Sequence, residues 1–537
     1  MTRKAGIRFR NKAGTASKLW IPETIGQGVL LFDFDNDGDL DIYFANGGEL
    51  REKTGGIYHN ALYRNDGNWT FKDITEGSGL ECSSWSSGVY TVDFDADGFD
   101  DVYVTGFGKN RFFRNEKGSG RFEEVHIGGE APGYSSSAAF FDADQDGDLD
   151  LYVGNYVDFD LEHPPNEGNP CEWKGLSVCC GPRGLGEALD NFYEFKDGRY
   201  VEATERFGFA LKDHRGQRKG SYTLGMVTSD FDGDGDQDLY VAVDSRPNLL
   251  FENLGNGHFR EVAQEWQVAV NIDALEQAGM GVSSADMNAD GKMDIFVTNF
   301  SHDTNTLYIN AGTPQNMFFD DITTRVGLGG EASYHWLSWG NVLQDFNCDG
   351  YMDIFVASGH VYPQAEGVLD LGTNYRQPNQ LFLGKSYELE FDDAASKAGP
   401  GLAIVKVSRG VSFGDIDRDG LVDLVVVNLD DWPDLIRNEC EVQGGWIGVQ
   451  LTSKQAGNRH AVGARVTVLL EGGKRKSFAR EVHGAGGYLG GNDFGLHFGL
   501  SADEKPKALR VRWPDGSIET FPVTANAWQT LQQGKGR

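Results

Sequence analysis

Seven times the chain writes Asp-x-[Asp/Asn]-x-Asp-Gly-x-x-Asp, a spacing that brings oxygen ligands to one centre. The copies are Asp33, Asp35, Asp37 and Asp41; Asp93, Asp95, Asp97 and Asp101; Asp142, Asp144, Asp146 and Asp150; Asp230, Asp232, Asp234 and Asp238; Asp286, Asn288, Asp290 and Asp294; Asp345, Asn347, Asp349 and Asp353; and Asp415, Asp417, Asp419 and Asp423. Side chains at positions 1, 3 and 5 converge, glycine at position 6 permits a sharp turn, and the carboxylate at position 9 closes the cage. Such a donor set suits a hard cation wanting roughly six to eight oxygens, and calcium better than magnesium, which keeps its waters and demands a strict octahedron. Up to seven calcium ions are expected. Without a cation the clustered carboxylates would repel one another.

An EF-hand opens with the same spacing, but it needs Glu at position 12 and a helix on each side. Position 12 is Phe44 in the first loop and Val104 in the second, and the flanks GVLLF and LDIYFA read as strands. The loops therefore join strands.

The composition agrees. Seventy-two Gly, only 15 Pro and 12% aromatic residues in 537 fit many short strands with tight turns. The net charge of -33 excludes nucleic acid, whose phosphates select basic surfaces. Seven divalent ions would bring that charge to -19, so much of the acidity is metal-directed. No apolar run approaches the roughly 20 residues of a membrane span. The N-terminal MTRKAGIRFRNKAG is basic but lacks the apolar core of a secretory signal. Cages without helix-hinged switching suit a calcium-rich compartment, so an extracellular or cell-envelope location is expected, after removal of a leader that this sequence does not show. Of the six Cys, Cys171 and Cys180 bracket one loop and are placed to join.

Each interval between loops repeats one order: apolar strand, acidic loop, strand, variable loop, a strand reading Asn-x-Leu-Phe/Tyr-x-Asn, and a Phe-containing strand. ALYRNDGNWTFKDIT (61–75) and NLLFENLGNGHFREV (248–262) are examples. Seven units of four strands predict an all-β fold, a seven-bladed β-propeller over residues 1–440, with Ile7–Arg10 as a strand completing the last blade. The interval after the third loop carries an insertion, 158–190. Beyond residue 441 the acidic loops stop, and WIGVQL, ARVTVLL, SFAREV, LHFGL, ALRVRW and SIETF read as the short strands of a β-sandwich-like domain, 441–537. Trp513-Pro514-Asp515-Gly516 is a turn between two of them.

GVLLFDFDNDGDLDIYFANG and RGVSFGDIDRDGLVDLVVVN resemble the FG-GAP, or VCBS, repeats of integrin-like propellers. GNRHAVGARVTV, REVHGAGGYLGGND, LHFGL and VRWPDGS resemble the ASPIC/UnbV domain that follows such propellers in the cartilage acidic protein family, departing from it at Gly490-Gly491. GHVYP, SRG and CEWKGLSVCCGPRGL are similar to that family's propeller. The resemblance implies a secreted, calcium-binding protein, and it favours Cys180, which precedes Gly-Pro, over Cys179 as the partner of Cys171.

In an integrin-like propeller the metal loops share one face. The opposite face then collects Glu23, Trp85, Tyr134, Tyr222, His335, Trp336 and Arg409 from one set of loops and Asn46, Asn155, Asp244, Asn299, His302, His360 and Asn428 from the other, with His163 in the insertion. These side chains are expected to be exposed around a central depression and replaceable without loss of stability. Packing is the ordinary role of Trp85, Trp336 and Tyr222 at strand entrances, and a hydrogen-bonded structural role that of His335 and His360. No Gly-x-Ser-x-Gly elbow or phosphate loop occurs. Two functions follow: a monomeric binding or adhesion module whose opposite face recognises a protein, glycan or small molecule, or an enzyme doing cyclase-, isomerase- or lyase-like acid/base chemistry with His360, His335 and Arg409.

Overall fold

The computed structural model describes residues 1–50, 58–130, 132–471 and 474–537. The fold is all-β: among these residues α-helix is confined to Pro22–Ile25 and Thr204–Phe207. The first acidic loop joins Val29–Phe32 to Asp41–Phe44, followed in the same antiparallel sheet by Ala61–Asn65 and Phe71–Asp73. The same meander recurs around the other loops. The second and third units fuse into one sheet, because the long strand Asp101–Lys109 runs on to pair with the start of Pro132–Phe141.

The opening strands of the seven units, from Val29–Phe32 to Ser408–Gly414, pack side by side in sequence order, and the last returns to the first. That arrangement is a closed ring. In the first unit the first and second strands are buried throughout and, apart from Asp41, apolar, whereas the outer strand Phe71–Asp73 is largely exposed.

The seventh sheet has three strands, Ser408–Gly414, Asp423–Asn428 and Asp434–Ile436. The expected fourth, Ile7–Arg10, is not a strand. Instead the N-terminal segment is tied to the seventh unit by Asn11 N–H to Asp431 O and the Thr2 hydroxyl to Pro433 O, and to the first by Phe71 N–H to Ala5 O. Ile7 and Phe9 are buried among Val29, Ile42, Val425 and Leu435, so apolar side chains rather than a ladder close this seam.

The C-terminal region forms two sheets. One contains Gly445–Thr452, Leu496–Leu500 and Trp528–Gln532; the other contains Arg465–Glu471, Ser477–Glu481, Lys505–Arg512 and Ile518–Phe521. Trp528–Gln532, which sequence reasoning missed, pairs parallel with Gly445–Thr452. Trp513 to Ser517 forms the expected turn.

Between Ser477–Glu481 and Leu496–Leu500 the chain leaves these sheets and enters the ring. Gly484 O accepts from Phe140 N–H, Gly487 exchanges two hydrogen bonds with Val282, Leu489 O accepts from Val89 N–H, and Gly491 O accepts from Leu31 N–H. Every one of those ring residues lies on an opening strand, so the segment fills the ring's centre. The approach demands glycine: a Cβ on Gly28 would stand 1.4 Å from Leu489 O, and one on Gly490 would stand 2.4 Å from Val29 O.

Candidate metal centres and the pocket opposite them

Each acidic loop is folded by its own carboxylates. In the first, Asp33 accepts from Asp37 N–H at 3.0 Å and Gly38 N–H at 2.9 Å, while Asp41 accepts from Phe34 N–H at 3.3 Å and from Asn65 N–H on the third strand at 2.8 Å. The position-9 aspartates of all seven loops bond in this double fashion, which fastens loop to sheet. Position 4 is left-handed in every loop, although only Gly233 is glycine there; Asn36, Ala96, Gln145, Ala289, Cys348 and Arg418 have φ between 53° and 62°. The residue types at that position do not announce the strain.

Carboxylate oxygens of three residues lie within 4.8 Å of one another in five loops: Asp33, Asp35 and Asp37; Asp93, Asp95 and Asp101; Asp142, Asp144 and Asp146; Asp230, Asp232 and Asp234; and Asp415, Asp417 and Asp423. The loops with Asn288 and Asn347 offer one carboxylate fewer. Asp35 Oδ1, Asp142 Oδ1, Asp144 Oδ1, Asp286 Oδ1 and Asp417 Oδ1 are buried without a hydrogen-bond partner. Burial pushes Asp33 up to about 6, Asp142 to about 7, and Asp41 and Asp101 to about 9. Ionised carboxylates accept only, so buried unpaired ones fit a cation.

The C-terminal sheets sit on this acidic-loop end of the ring. His460 Nε2 lies 2.7 Å from Asp100, Arg459 donates to Asn36 Oδ1 at 2.8 Å, Trp528 Nε1 donates to Asp415 Oδ2 at 2.7 Å, and Arg512 is paired with Asp230.

The other end carries a cavity of about 620 Å³ where first strands begin and second strands finish. Met280 and Trp339 form part of its floor, and Asp244, Asp303 and Tyr156 are in its wall. The insertion closes one side with Trp173, Lys174 and the Cys171–Cys180 disulfide, while Cys179 is a free buried thiol. Tyr156 donates to Asp244 at 2.5 Å and Ser245 donates at 2.9 Å, and burial raises the Asp244 carboxyl to about 6. Lys174 Nζ lies 2.7 Å from His302 Nε2; burial and then that ammonium lower the His302 pKa.

The structure brings Asp244 and His302 to this cavity, but it corrects the expected exposure of most of their companions. Arg409 is 0% exposed, stacked 4.1 Å over Trp339, and donates to the carbonyls of Thr24, Gly359, Ser408 and His360. His360 is also 0% exposed, shares a hydrogen bond with Ser301 Oγ, and is held well below its ordinary pKa, at about 3, by burial. Glu23 caps the backbone of Thr15 and Leu19, and Trp85, Tyr134 and Tyr222 are buried. Asn46, Asn155, Asn299 and Asn428 are buried too, each donating to a loop carbonyl. Carbonyls at the strand ends need donors, and these side chains supply them. His335 and Trp336 are partly exposed; His335 is 3.2 Å from Glu331. His163 is exposed beside Asp160, outside the cavity. Trp173 and Lys174 were missed, and their position inside the quoted CEWKGLSVCCGPRGL motif was the available signal.

Comparison with known families agrees with this organisation. A model of the FG-GAP-like repeat matches residues 33–104, 93–153, 230–297 and 286–356, and the ASPIC and UnbV model matches 454–537. The chain is thus an FG-GAP-repeat protein with a C-terminal ASPIC/UnbV domain. Its homologues are named cartilage acidic protein 1: the Xenopus tropicalis protein is 26% identical over 527 residues, covering 94% of this chain and 72% of the relative, and the Homo sapiens protein is 24% identical over 540 residues, covering 95% and 72%. Among solved structures, an Agrocybe aegerita lectin recognising non-reducing terminal N-acetylglucosamine matches with 15% identity, 76% and 86% coverage and a TM-score of 0.40. BBS1N in complex with ARL6DN matches with 10% identity, 80% and 96% coverage and a TM-score of 0.39. No helix among the described residues is long and apolar enough to cross a membrane.

Proposed function

We propose that the chain is an extracellular, calcium-stabilised binding module: a seven-bladed propeller over 1–440, a sandwich-like domain over 441–537 docked on the metal face, and a ligand pocket at the opposite end. Calcium is the cation because every cage is built from oxygens alone and follows a flexible loop, where magnesium would keep its waters. The observation that carries the reading is the roughly 620 Å³ cavity opposite the cages, where an aromatic wall, Trp173 and Tyr362, stands beside Lys174, His302 and Asp303. Concave, partly apolar sites with a few convergent polar groups are where ligands bind. The ligand is a protein, glycan or small molecule. Screening glycan, protein and metabolite libraries against the calcium-loaded chain tests it: hits should be lost in Trp173→Ala and Asp303→Asn. Hits that survive both substitutions would place the site elsewhere.

One observation favours an enzyme in the same cavity. Asp244, ordered by Tyr156 and Ser245 and titrating near 6, has the character of a general acid or base. Turnover of a screened compound that disappears in Asp244→Asn would support that reading.

A further inference from the structure

We propose that the cleft between the metal loops and the outer face of the Arg465–Glu471, Ser477–Glu481, Lys505–Arg512 sheet is a binding site for a tetrahedral oxyanion, a sulfate or phosphate group. In a chain of net charge -33, this cleft of about 360 Å³ is lined by Arg465, Arg510 and Arg512, with Thr467 and Ser477 between them and Asp230, Gly233 and Gly291 as the opposite wall.

Strand register explains the convergence. Arg465 stands directly across from Arg512, Thr467 stands across from Arg510, and Leu469 stands across from Ser477. Residues paired across a ladder share a face, as do alternate residues along a strand, so all three guanidinium groups and both hydroxyls project from one side. Like charges facing each other across a ladder are unfavourable and need a counter-charge.

Domain docking accounts for only part of the cluster. Arg512 is paired with Asp230, and Arg465 is 3.2 Å from Glu481 and donates to Gly291 O. Arg510 is exposed and its guanidinium makes no hydrogen bond or ion pair among the described residues, and neither hydroxyl has a side-chain hydrogen bond there. The unspent donors are a planar fork and two hydroxyls beside two further guanidinium groups. That set matches an oxyanion, which accepts from several directions at once and favours bidentate arginine.

The test is calorimetric titration of the calcium-loaded full chain with sodium sulfate, ionic strength being held with chloride. The wild type should bind one sulfate saturably, Arg510→Ala should bind at least tenfold more weakly, and Arg121→Ala, an exposed arginine of the second repeat, should bind as wild type. Arg510→Lys keeps the charge but loses the fork and should fall between. Titration with N-acetylglucosamine 6-sulfate distinguishes the sources: tighter binding than inorganic sulfate means an ester group is the ligand, and equal or weaker binding means the free anion. Absence of saturable sulfate binding, or wild-type affinity in Arg510→Ala with an unchanged melting curve, would overturn the site.

Discussion

The phenol of Tyr488, carried on the C-terminal domain, donates to the carbonyl of Ile25 at 3.1 Å, and Ile25 lines the cavity at the far end of the ring. The tyrosine ring also packs 5.1 Å from Trp339 in the cavity floor. A domain docked on the acidic loops thereby supports the pocket at the other end of the molecule. Ring and C-terminal domain should unfold as one unit: Tyr488→Ala is expected to cost about 3–5 kcal/mol and Tyr488→Phe about 1 kcal/mol. Denaturant unfolding of these variants should show one transition by every probe. Two separable transitions would show that the domains are independent.

Arg409→Ala and His360→Ala, which the sequence reading expects to abolish ligand binding while leaving stability nearly unchanged, should both destabilise. Truncating Arg409 leaves the buried carbonyl of Thr24 without its donor, takes one of two donors from Gly359 O, which Trp339 Nε1 also serves, and removes the cover from Trp339. A loss of several kcal/mol is expected for Arg409→Ala, and of roughly 1–3 kcal/mol for His360→Ala. Melting curves within a degree of wild type would contradict the buried placement of both.

Reducing the Cys171–Cys180 bridge should loosen one wall of the pocket and leave the ring folded. The bridge closes a short loop, sequence separation 9, so its contribution is about 2–3 kcal/mol and local to the insertion. Limited proteolysis after mild reduction should cut within 158–190 first. Peptide mapping of unreduced protein that finds both thiols free would refute the bridge.

Asp244 imposes a pH dependence whose sign is fixed. Burial raises its folded pKa from 3.8 to about 6, so the native state holds the proton more tightly than the unfolded chain. Its contribution is fully present below the unfolded value and is lost as pH rises from about 4 through 6. Asp244→Asn should flatten that part of the stability profile, with a gain of about 1–3 kcal/mol at neutral pH. Equal slopes in the two proteins between pH 4 and 6 would contradict the assignment.

The cages and the repeat order were legible because each rests on side chains at fixed spacing. The Asn-x-Leu-Phe/Tyr-x-Asn strand was legible for the same reason, and the structure supplies its purpose. Asn60 accepts from Asn46 N–H to cap a second strand, and Asn115 Nδ2 donates 2.8 Å to Phe34 O, latching one unit to the acidic loop before it. The filling of the ring by Gly484–Gly491 was not legible. It is made by backbone groups that every sequence shares, between partners as distant as Leu31 and Gly491, and only the glycine run hints that two backbones meet. Burial of Arg409 was hidden likewise, since its acceptors are carbonyls of residues of any type. The N-terminal seam reads as a strand in sequence because Ile7 and Phe9 alternate, yet their packed side chains and a few scattered hydrogen bonds close it in place of a ladder.

Metal held in the seven loops is proposed to keep this ring folded, and thermal unfolding with and without chelator tests that most directly. Each cage saturated at 100-fold its dissociation constant would contribute about 2.7 kcal/mol. The melting temperature should fall steeply in excess chelator, return with calcium, and recover much less with magnesium, while Asp37→Ala should lower it even in calcium. A melting curve unchanged by chelation would contradict the account.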